Sequence, residues 1–381
     1  MQSSPQTPVI LQVLPRLESG GVERGTIEIT EAIARAGMRP LVASAGGAMV
    51  PQVARAGGEH MMMTLERKNP LVIRANAWRL YRLIKAHHVS IIHARSRAPG
   101  WAAYYAAKWA GIPFVTTFHG IYGTESKLKK TYNSVMVKGA RVIAVSEFVR
   151  HHIEQTYDVD PARIRTIPRG VDFNQFDAAR VMPARIQELT RQWRLYDQFS
   201  PLIFCPGRIS RIKGQHVLIE ALSTLGDTPF LCIIAGNAVG HEDYRDELIA
   251  LIQARGLDGR VRLMPPTQCM AEAYTLSQLV VVPSIQAESF GRVAIEAQAM
   301  GRLIIATDHG GARETILPNQ TGYLVPPNDP AMLAEAIRFA LGRDPRSVTA
   351  MAEDARTHVR THFTSERMQA ATIDVYRELL P

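Results

Sequence analysis

The sequence predicts an α/β protein of two doubly wound parallel-sheet domains, and three observations carry that expectation. Short, continuous apolar runs recur along all 381 residues, as strands buried on both faces of a parallel sheet require. Longer stretches with apolar residues at helical spacing, such as GVERGTIEITEAIARAG (21–37), separate them. The alternation breaks once, between residues 170 and 200, and then restarts, as two successive βα series would.

In chain order, the first series places strands at 9–15 (VILQVLP), 40–45 (PLVASA), 90–96 (SIIHARS), 113–119 (PFVTTFH) and 141–146 (RVIAVS). The second places them at 201–208 (PLIFCPGR), 230–237 (FLCIIAGN), 261–266 (VRLMPP), 279–285 (LVVVPSI) and 302–308 (RLIIATD). These runs give a first domain over 1–175, a linker over 176–199 and a second domain over 200–364, with a helical tail from 344 onward that no strand follows. The opening MQSSPQTPVILQVLP has no basic n-region and reads as a tail leading into a strand, not a signal peptide. No run approaches the roughly 20 apolar residues that span a bilayer. Cys205, Cys232 and Cys269 fit no metal spacing, and two lie in apolar runs, as reduced core residues of a cytosolic protein would.

Charge is unevenly spread. Residues 1–175 hold 23 Lys and Arg against 12 Asp and Glu, whereas the remainder holds 21 against 23. A basic first half suits an anionic partner, nucleic acid or an anionic membrane, or is a solvated surface without one.

Ligands of open α/β sheets bind beyond the carboxyl ends of the strands, so the loops there are the place to look. Two sheets with Gly-rich strand-end loops describe a cleft between domains. GRISRIKG (207–214) sets Arg208 and Lys213 between Gly207 and Gly214 just after a strand. Two cations on such a loop neutralise a diphosphate; a plain basic surface loop is the alternative. Gly20 and Gly21 follow the first strand and precede a helix, a turn that brings a helix N-terminus to a phosphate or simply a tight turn. Gly236 and Asn237 end the second strand of the second domain. His119, before Gly120, ends a strand and bonds either a ligand or its own loop. DVD (158–160) looks like a metal motif, but Asp160-Pro161 reads as a helix cap. No other His, Cys, Asp and Glu cluster has ligand spacing, so no metal is expected.

ESFGRVAIEAQAMG (288–301) carries two glutamates eight residues apart. With a helix starting near Phe290 or Gly291, Glu288 and Glu296 are too far apart for a metal or for a retaining glycosidase pair at about 5 Å. A helix start between them favours an anion. The pattern suits an extended ligand, with a carboxylate at each end and its phosphates over the amides of Ser289, Phe290, Gly291 and Arg292.

These residues resemble the family 4 retaining glycosyltransferases of GT-B fold. PSIQAESFGRVAIEAQAMGRLIIATDHGGARETI is similar to the family's signature block, and SGGVER, IIHARS, TTFHG, VIAVSEFV, IPRGVD and GRISRIKG follow its order over nearly the whole chain. The resemblance implies two facing Rossmann-like domains with a cleft between them, and a last helix, 365–381, joined to the first. It implies metal-independent transfer of a sugar from a nucleoside-diphosphate sugar, without a cofactor, to a glycan or lipid-linked glycan of the cell envelope, in lipopolysaccharide or exopolysaccharide synthesis. Arg208 and Lys213 would then stabilise the leaving diphosphate, Glu288 the sugar hydroxyls and Glu296 the ribose. Gly20 and Gly21 would approach the diphosphate and acceptor, with His119 near the reacting carbon. The sequence departs from the family with Ser289 in place of a usual glycine, LMPPTQC (263–269) in place of a Phe-x-Gly, and Ser90 and Arg95 around IIH. Nucleic acid drops out as a partner. A cytoplasmic protein peripheral on the inner membrane face is implied, with ESKLKKTYNSVMVKGARV (125–142) either a membrane-facing amphipathic helix or a core-packed one. A sugar-nucleotide 2-epimerase, which needs no acceptor, and a non-catalytic glycan- or nucleotide-binding protein are the rival readings.

Overall fold

A computed structural model describes residues 7–18, 20–123, 125–195 and 200–381. The N-terminal tail expected before the first strand lies, up to residue 6, outside the described residues. The chain forms two units, Met1–Arg169 with Ser365–Pro381, and Gly170–Thr364.

The first unit is a seven-stranded parallel sheet of β1 (Val9–Val13), β2 (Arg39–Ser44), β3 (Glu59–Met62), β4 (Val89–Ala94), β5 (Phe114–Phe118), β6 (Arg141–Ala144) and β7 (Ile164–Thr166), in the order β3-β2-β1-β4-β5-β6-β7. Its helices are α1 (Gly21–Arg35), α2 (Val50–Arg55), α3 (Pro70–His87), α4 (Arg97–Ala110), α5 (Lys127–Asn133) and α6 (Glu147–Thr156). The second unit holds β8 (Leu202–Pro206), β9 (Leu231–Ala235), β10 (Val261–Met264), β11 (Leu279–Val282), β12 (Leu303–Thr307) and β13 (Tyr323–Val325), in the order β10-β9-β8-β11-β12-β13. It carries α7 (Pro183–Gln192), α8 (Gln215–Ser223), α9 (Glu242–Ala254), α10 (Met270–Leu276), α11 (Arg292–Ala299), α12 (Ala312–Thr315), α13 (Pro330–Leu341) and α14 (Pro345–His362). The strand order reverses between β1 and β4 and between β8 and β11. At such switch points diverging crossovers open a crevice at the strand ends.

Both sheets are apolar on both faces, as the continuous runs require. β1 reads buried at every position, and so do β5, β9, β11 and β12. Cys205 and Cys232 lie in the core of the second sheet, and burial pushes the Cys205 thiol up to about 12.

The last helix, α15 (Ser365–Arg377), belongs to the first unit. It buries Met368, Ile373, Val375 and Tyr376 against Ile10, Ile29, Ile33 and Ile91, each such side chain stabilising by about 1.5–3 kcal/mol. The Tyr376 hydroxyl lies 2.6 Å from His93 Nδ1, and Arg141 and Arg165 both bind Glu378, at 2.7 and 2.9 Å.

Two sequence expectations are corrected. The stretch 176–199 is not a linker, and the first unit ends at 169, not 175. Val171 pairs with Thr364 and donates its amide to Phe363 O at 2.9 Å, so the chain enters and leaves the second unit side by side. Phe176 packs on Tyr274 and Trp193 on Phe204, so aromatic burial holds this stretch to the second unit; residues 196–199 lie outside the described ones. The segment 125–142 is not one amphipathic helix. It breaks into α5 and a 3₁₀ turn over Ser134–Val137; Val135 and Met136 are fully buried under β5, whereas Leu128 on α5 is 85% exposed.

Candidate active site

In the second unit the ends of β8, β9 and β11 are stitched together by backbone bonds. Gly207 N donates to Ala235 O, Ile209 N to Asn237 O and Ile285 N to Ile212 O, at 3.0, 2.9 and 3.0 Å. Two glycines permit this contact. A Cβ on Gly236 would sit 1.8 Å from Gly207 O, and one on Gly214 1.9 Å from Pro283 O. The stitching delivers Lys213, on a 3₁₀ turn over Arg211–Lys213, to the loop after β11.

There Lys213 Nζ lies 2.6 Å from Glu288 Oε1, and the Ser284 hydroxyl donates to the same oxygen at 2.6 Å. Gly311 N donates to Glu288 O at 2.8 Å and fixes the loop. His309 Nε2 donates to Ser284 O at 2.9 Å, and its buried Nδ1 has no hydrogen-bond partner among the described residues. A small cavity lined by Ser284, Glu288, Gly291 and His309 lies against the carboxylate. Burial pushes the Glu288 carboxyl up, but Lys213, Ser284 and His309 outweigh it and hold it below the ordinary range. The result is a partly buried carboxylate kept ionised beside a cation.

α11 starts after Gly291, at φ 86°, so Glu288 stands before the helix and Glu296 inside it. Glu296 is 5% exposed; Tyr274 donates to its Oε2 at 3.0 Å, and Arg292 lies 3.5 Å from Oε1. The Arg292 side chain therefore turns along the helix toward Glu296. Phe290 is buried on Phe363, and Asn237 uses its side chain in a local turn to Val239 N at 2.8 Å. Arg208 is exposed.

The helices entering these loops share one property. α8 and α11 begin at Gly214 and Gly291 with no side-chain cap, as do α2, α4, α7, α9, α10 and α12 elsewhere, whereas α3, α6, α13 and α14 are capped by Asn69, Ser146, Asp329 and Asp344. Uncapped N-terminal amides point their partial positive charge outward and suit an anion.

The first unit repeats the arrangement. α1 begins after Gly20, at φ 142°, without a side-chain cap; Ser19 before it lies outside the described residues. Arg169 donates to Gly21 O at 3.0 Å and faces Glu28 at 3.4 Å. A Cβ on Gly25 would lie 2.1 Å from the Arg169 guanidinium, so that glycine is the slot in which the guanidinium lies. His119 follows β5, with Nε2 buried and without a hydrogen-bond partner. Burial, then Arg169 and Arg95, hold its pKa well below the usual range, so the imidazole is neutral near pH 7. His93 beneath it bridges Tyr376 and Thr117 at 2.6 and 2.7 Å.

Lys213, Glu288 and the α11 start thus stand together in the second unit, and Gly20, Gly21 and His119 belong to the first. Sequence reading missed Ser284, His309 and Arg169. Ser284 lies four residues before Glu288 and His309 in the Gly-rich DHGG loop, so position relative to strand ends was their signal. Asp160 caps a 3₁₀ turn by accepting from Ala162 N at 2.9 Å. Among the described residues no three His, Cys, Asp or Glu side chains gather as metal ligands would.

The pattern described as Glycosyltransferase Family 4 matches residues 19–175, and that described as Glycosyl transferases group 1 matches 187–358. D-inositol 3-phosphate glycosyltransferase of Xylanimonas cellulosilytica is 31% identical over 309 residues, 76% of this chain and 72% of its own. The crystal structure of a glycosyltransferase from Rickettsia africae ESF-5 superposes with a TM-score of 0.89 at 37% identity, over 98% of this chain and 99% of that one. HepE of Anabaena, solved in complex with UDP-glucose, gives a TM-score of 0.85 at 24% identity over 97% of this chain and 100% of its own, a likeness of fold. The two doubly wound parallel sheets are those of the GT-B class, and the chain belongs to the family 4 glycosyltransferases.

Proposed function

We propose that this glycosyltransferase moves a sugar from a nucleoside-diphosphate sugar to a glycan or lipid-linked glycan acceptor of the cell envelope, with retention at the anomeric carbon and without a metal ion. The observation that carries the reading is the Lys213–Glu288–Ser284 cluster at the β8/β11 switch point, beside the uncapped start of α11. Lys213 and the exposed Arg208 neutralise the charge that grows on the departing diphosphate, as a metal ion would elsewhere. The amides of Ser289, Phe290, Gly291 and Arg292 meet phosphate oxygens. Glu288, held ionised, accepts hydrogen bonds from sugar hydroxyls, and Glu296 meets the ribose. Gly20 and Gly21 let backbone approach the diphosphate and acceptor. The neutral His119 offers its bare Nε2 site to a sugar hydroxyl without adding charge. Glu288 already accepts from Lys213 and Ser284, which suits a positioning carboxylate better than a nucleophile and favours front-face departure and attack.

The Anabaena complex favours a uridine nucleotide as donor. A second acceptor reading, a phosphorylated polyol, is favoured by the relative named for D-inositol 3-phosphate. The basic first unit favours a cytoplasmic protein that meets an anionic membrane from the inner face. Among the described residues no helix is long and apolar enough to cross a membrane.

Melting curves with UDP, GDP, ADP and dTDP test the donor site, since a ligand of the folded state raises Tm. A panel of glycan, lipid-linked and polyol-phosphate acceptors with the stabilising nucleotide's sugar then tests transfer. Release of free sugar nucleotide isomer with no acceptor present would assign an epimerase instead.

A further inference from the structure

The first unit carries a surface that the reaction above does not use. From residue 67 to 124 the sequence holds nine Arg and Lys and no Asp or Glu in 58 residues. α3 and α4 pack side by side within this stretch. Their outer faces expose Trp78 at 54%, Trp109 at 45% and Leu71 at 78%.

The aromatic rings are organised. Tyr105 stacks on Trp101 and on Trp109, with centroids 5.8 and 6.3 Å apart, and Tyr81 meets Trp109 edge-on at 6.4 Å. Cations lie on the rings' margins: Arg82 is 4.9 Å above Trp78 and Lys85 is 5.8 Å from Tyr81. Lys138, from outside the stretch, reaches Tyr104 at 5.6 Å. The long cationic side chains cover apolar ring surface while keeping their charge in water.

Charge and ring geometry select the occupant. A second copy of the same face would set cation against cation. Unpaired bases would need open ring faces in series, but Tyr105 is stacked between Trp101 and Trp109 and Arg82 lies over Trp78. Indole and phenol rings beside Lys and Arg, on a stretch of sequence without a carboxylate, are what the headgroup layer of an anionic bilayer accepts. We infer that the α3–α4 face docks the first unit on an anionic lipid surface, with Trp78 and Trp109 entering the interface and Arg82 and Lys85 meeting lipid phosphates. This rests on the reading that the enzyme works at a membrane and names the face. It also moves the contact away from 125–142, whose Val135 and Met136 are core residues.

The test is flotation of the full chain with vesicles of phosphatidylcholine alone and of equal parts phosphatidylcholine and phosphatidylglycerol. Three variants accompany it: W78S/W109S, R82Q/K85Q, and K127Q/K129Q/K130Q as the alternative basic segment. Sugar transfer to a soluble acceptor serves as the folding control, because none of these residues belongs to the site. The wild type should float with the anionic vesicles only, and R82Q/K85Q should partition about 30-fold less, at roughly a five-fold loss per cation. W78S/W109S should weaken partition at least ten-fold or so, and the 127–130 variant by no more than about two-fold. Wild-type flotation lost in the 127–130 variant but kept in both α3–α4 variants would overturn the face and leave membrane recruitment standing. No preference of the wild type for anionic vesicles, with transfer intact, would overturn both and leave the transfer reading untouched.

Discussion

Lys213→Ala leaves the Glu288 carboxylate in its pocket without a counter-ion, so it should act on two observables. Transfer should fall at least about 100-fold, as expected for loss of one charge-stabilising group. The second unit should lose about 1–3 kcal/mol, read by denaturant titration, because a partly buried ionised group keeps its Ser284 hydrogen bond but loses its counter-ion. The pH dependence has a definite sign. The folded Glu288 pKa lies below its unfolded value, so the stabilisation is complete above the unfolded value, about 4.3, and fades as pH falls through the lowered one. Melting of the wild type against E288Q across that window should show the difference shrinking in acid; a constant difference would contradict the ion pair. The placement of Glu288 and Lys213 in neighbouring loops was legible in the sequence because glycines and strand ends mark those loops, and that of Glu296 because the helix begins at Gly291. Ser284 and His309 were not, because a serine or histidine near a strand end gains meaning only when the fold brings a carboxylate to it.

At the scale of elements, glycine placement has the sharpest consequence. Gly214 has φ 68° and a carbonyl 1.9 Å from where a Cβ would stand. Gly214→Ala should destabilise the second unit by at least about 2 kcal/mol and, by parting the β8 and β11 loops, weaken nucleotide binding measured on the folded fraction. Unchanged Tm and affinity would contradict the stitched-loop description. The ten strands read from apolar runs are all present, and the three unread ones, β3, β7 and β13, are each an edge strand. They are short: Glu59–Met62, Ile164–Thr166 and Tyr323–Val325. An edge strand has one neighbour and partial solvent exposure, so these three can do without the continuous apolar run that marks a buried strand, whereas the fourth edge strand, β10, keeps enough of one to be read. The linker expectation failed for a related reason. α7 has a single fully buried position, Leu189, and the aromatic anchors Phe176 and Trp193 lie outside it, where no period reveals them.

Over the whole molecule, the C-terminal helix ties the end of the chain to its first sheet. A chain ending at Thr364 should lose the first unit's cooperative melting while keeping that of the second, because Met368, Ile373, Val375 and Tyr376 leave an apolar gap over Ile10 and Ile33. Two separate transitions, one abolished, would appear by calorimetry; survival of both would contradict the packing. That two-part organisation was legible from the repeated strand rhythm, but the point at which the chain crosses was not, because Val171 and Thr364 pair across nearly two hundred residues and no local pattern encodes such a contact. The central claim is that the strand-end loops of β8 and β11 hold a nucleoside diphosphate. Calorimetric titration of UDP, GDP, ADP and dTDP into the wild type and Arg208→Ala tests it most directly, since Arg208 is exposed and its loss should spare the fold. One of the four nucleotides should bind the wild type, and at least about ten-fold more weakly the variant. Binding of none, or equal affinity in both proteins, would contradict the claim.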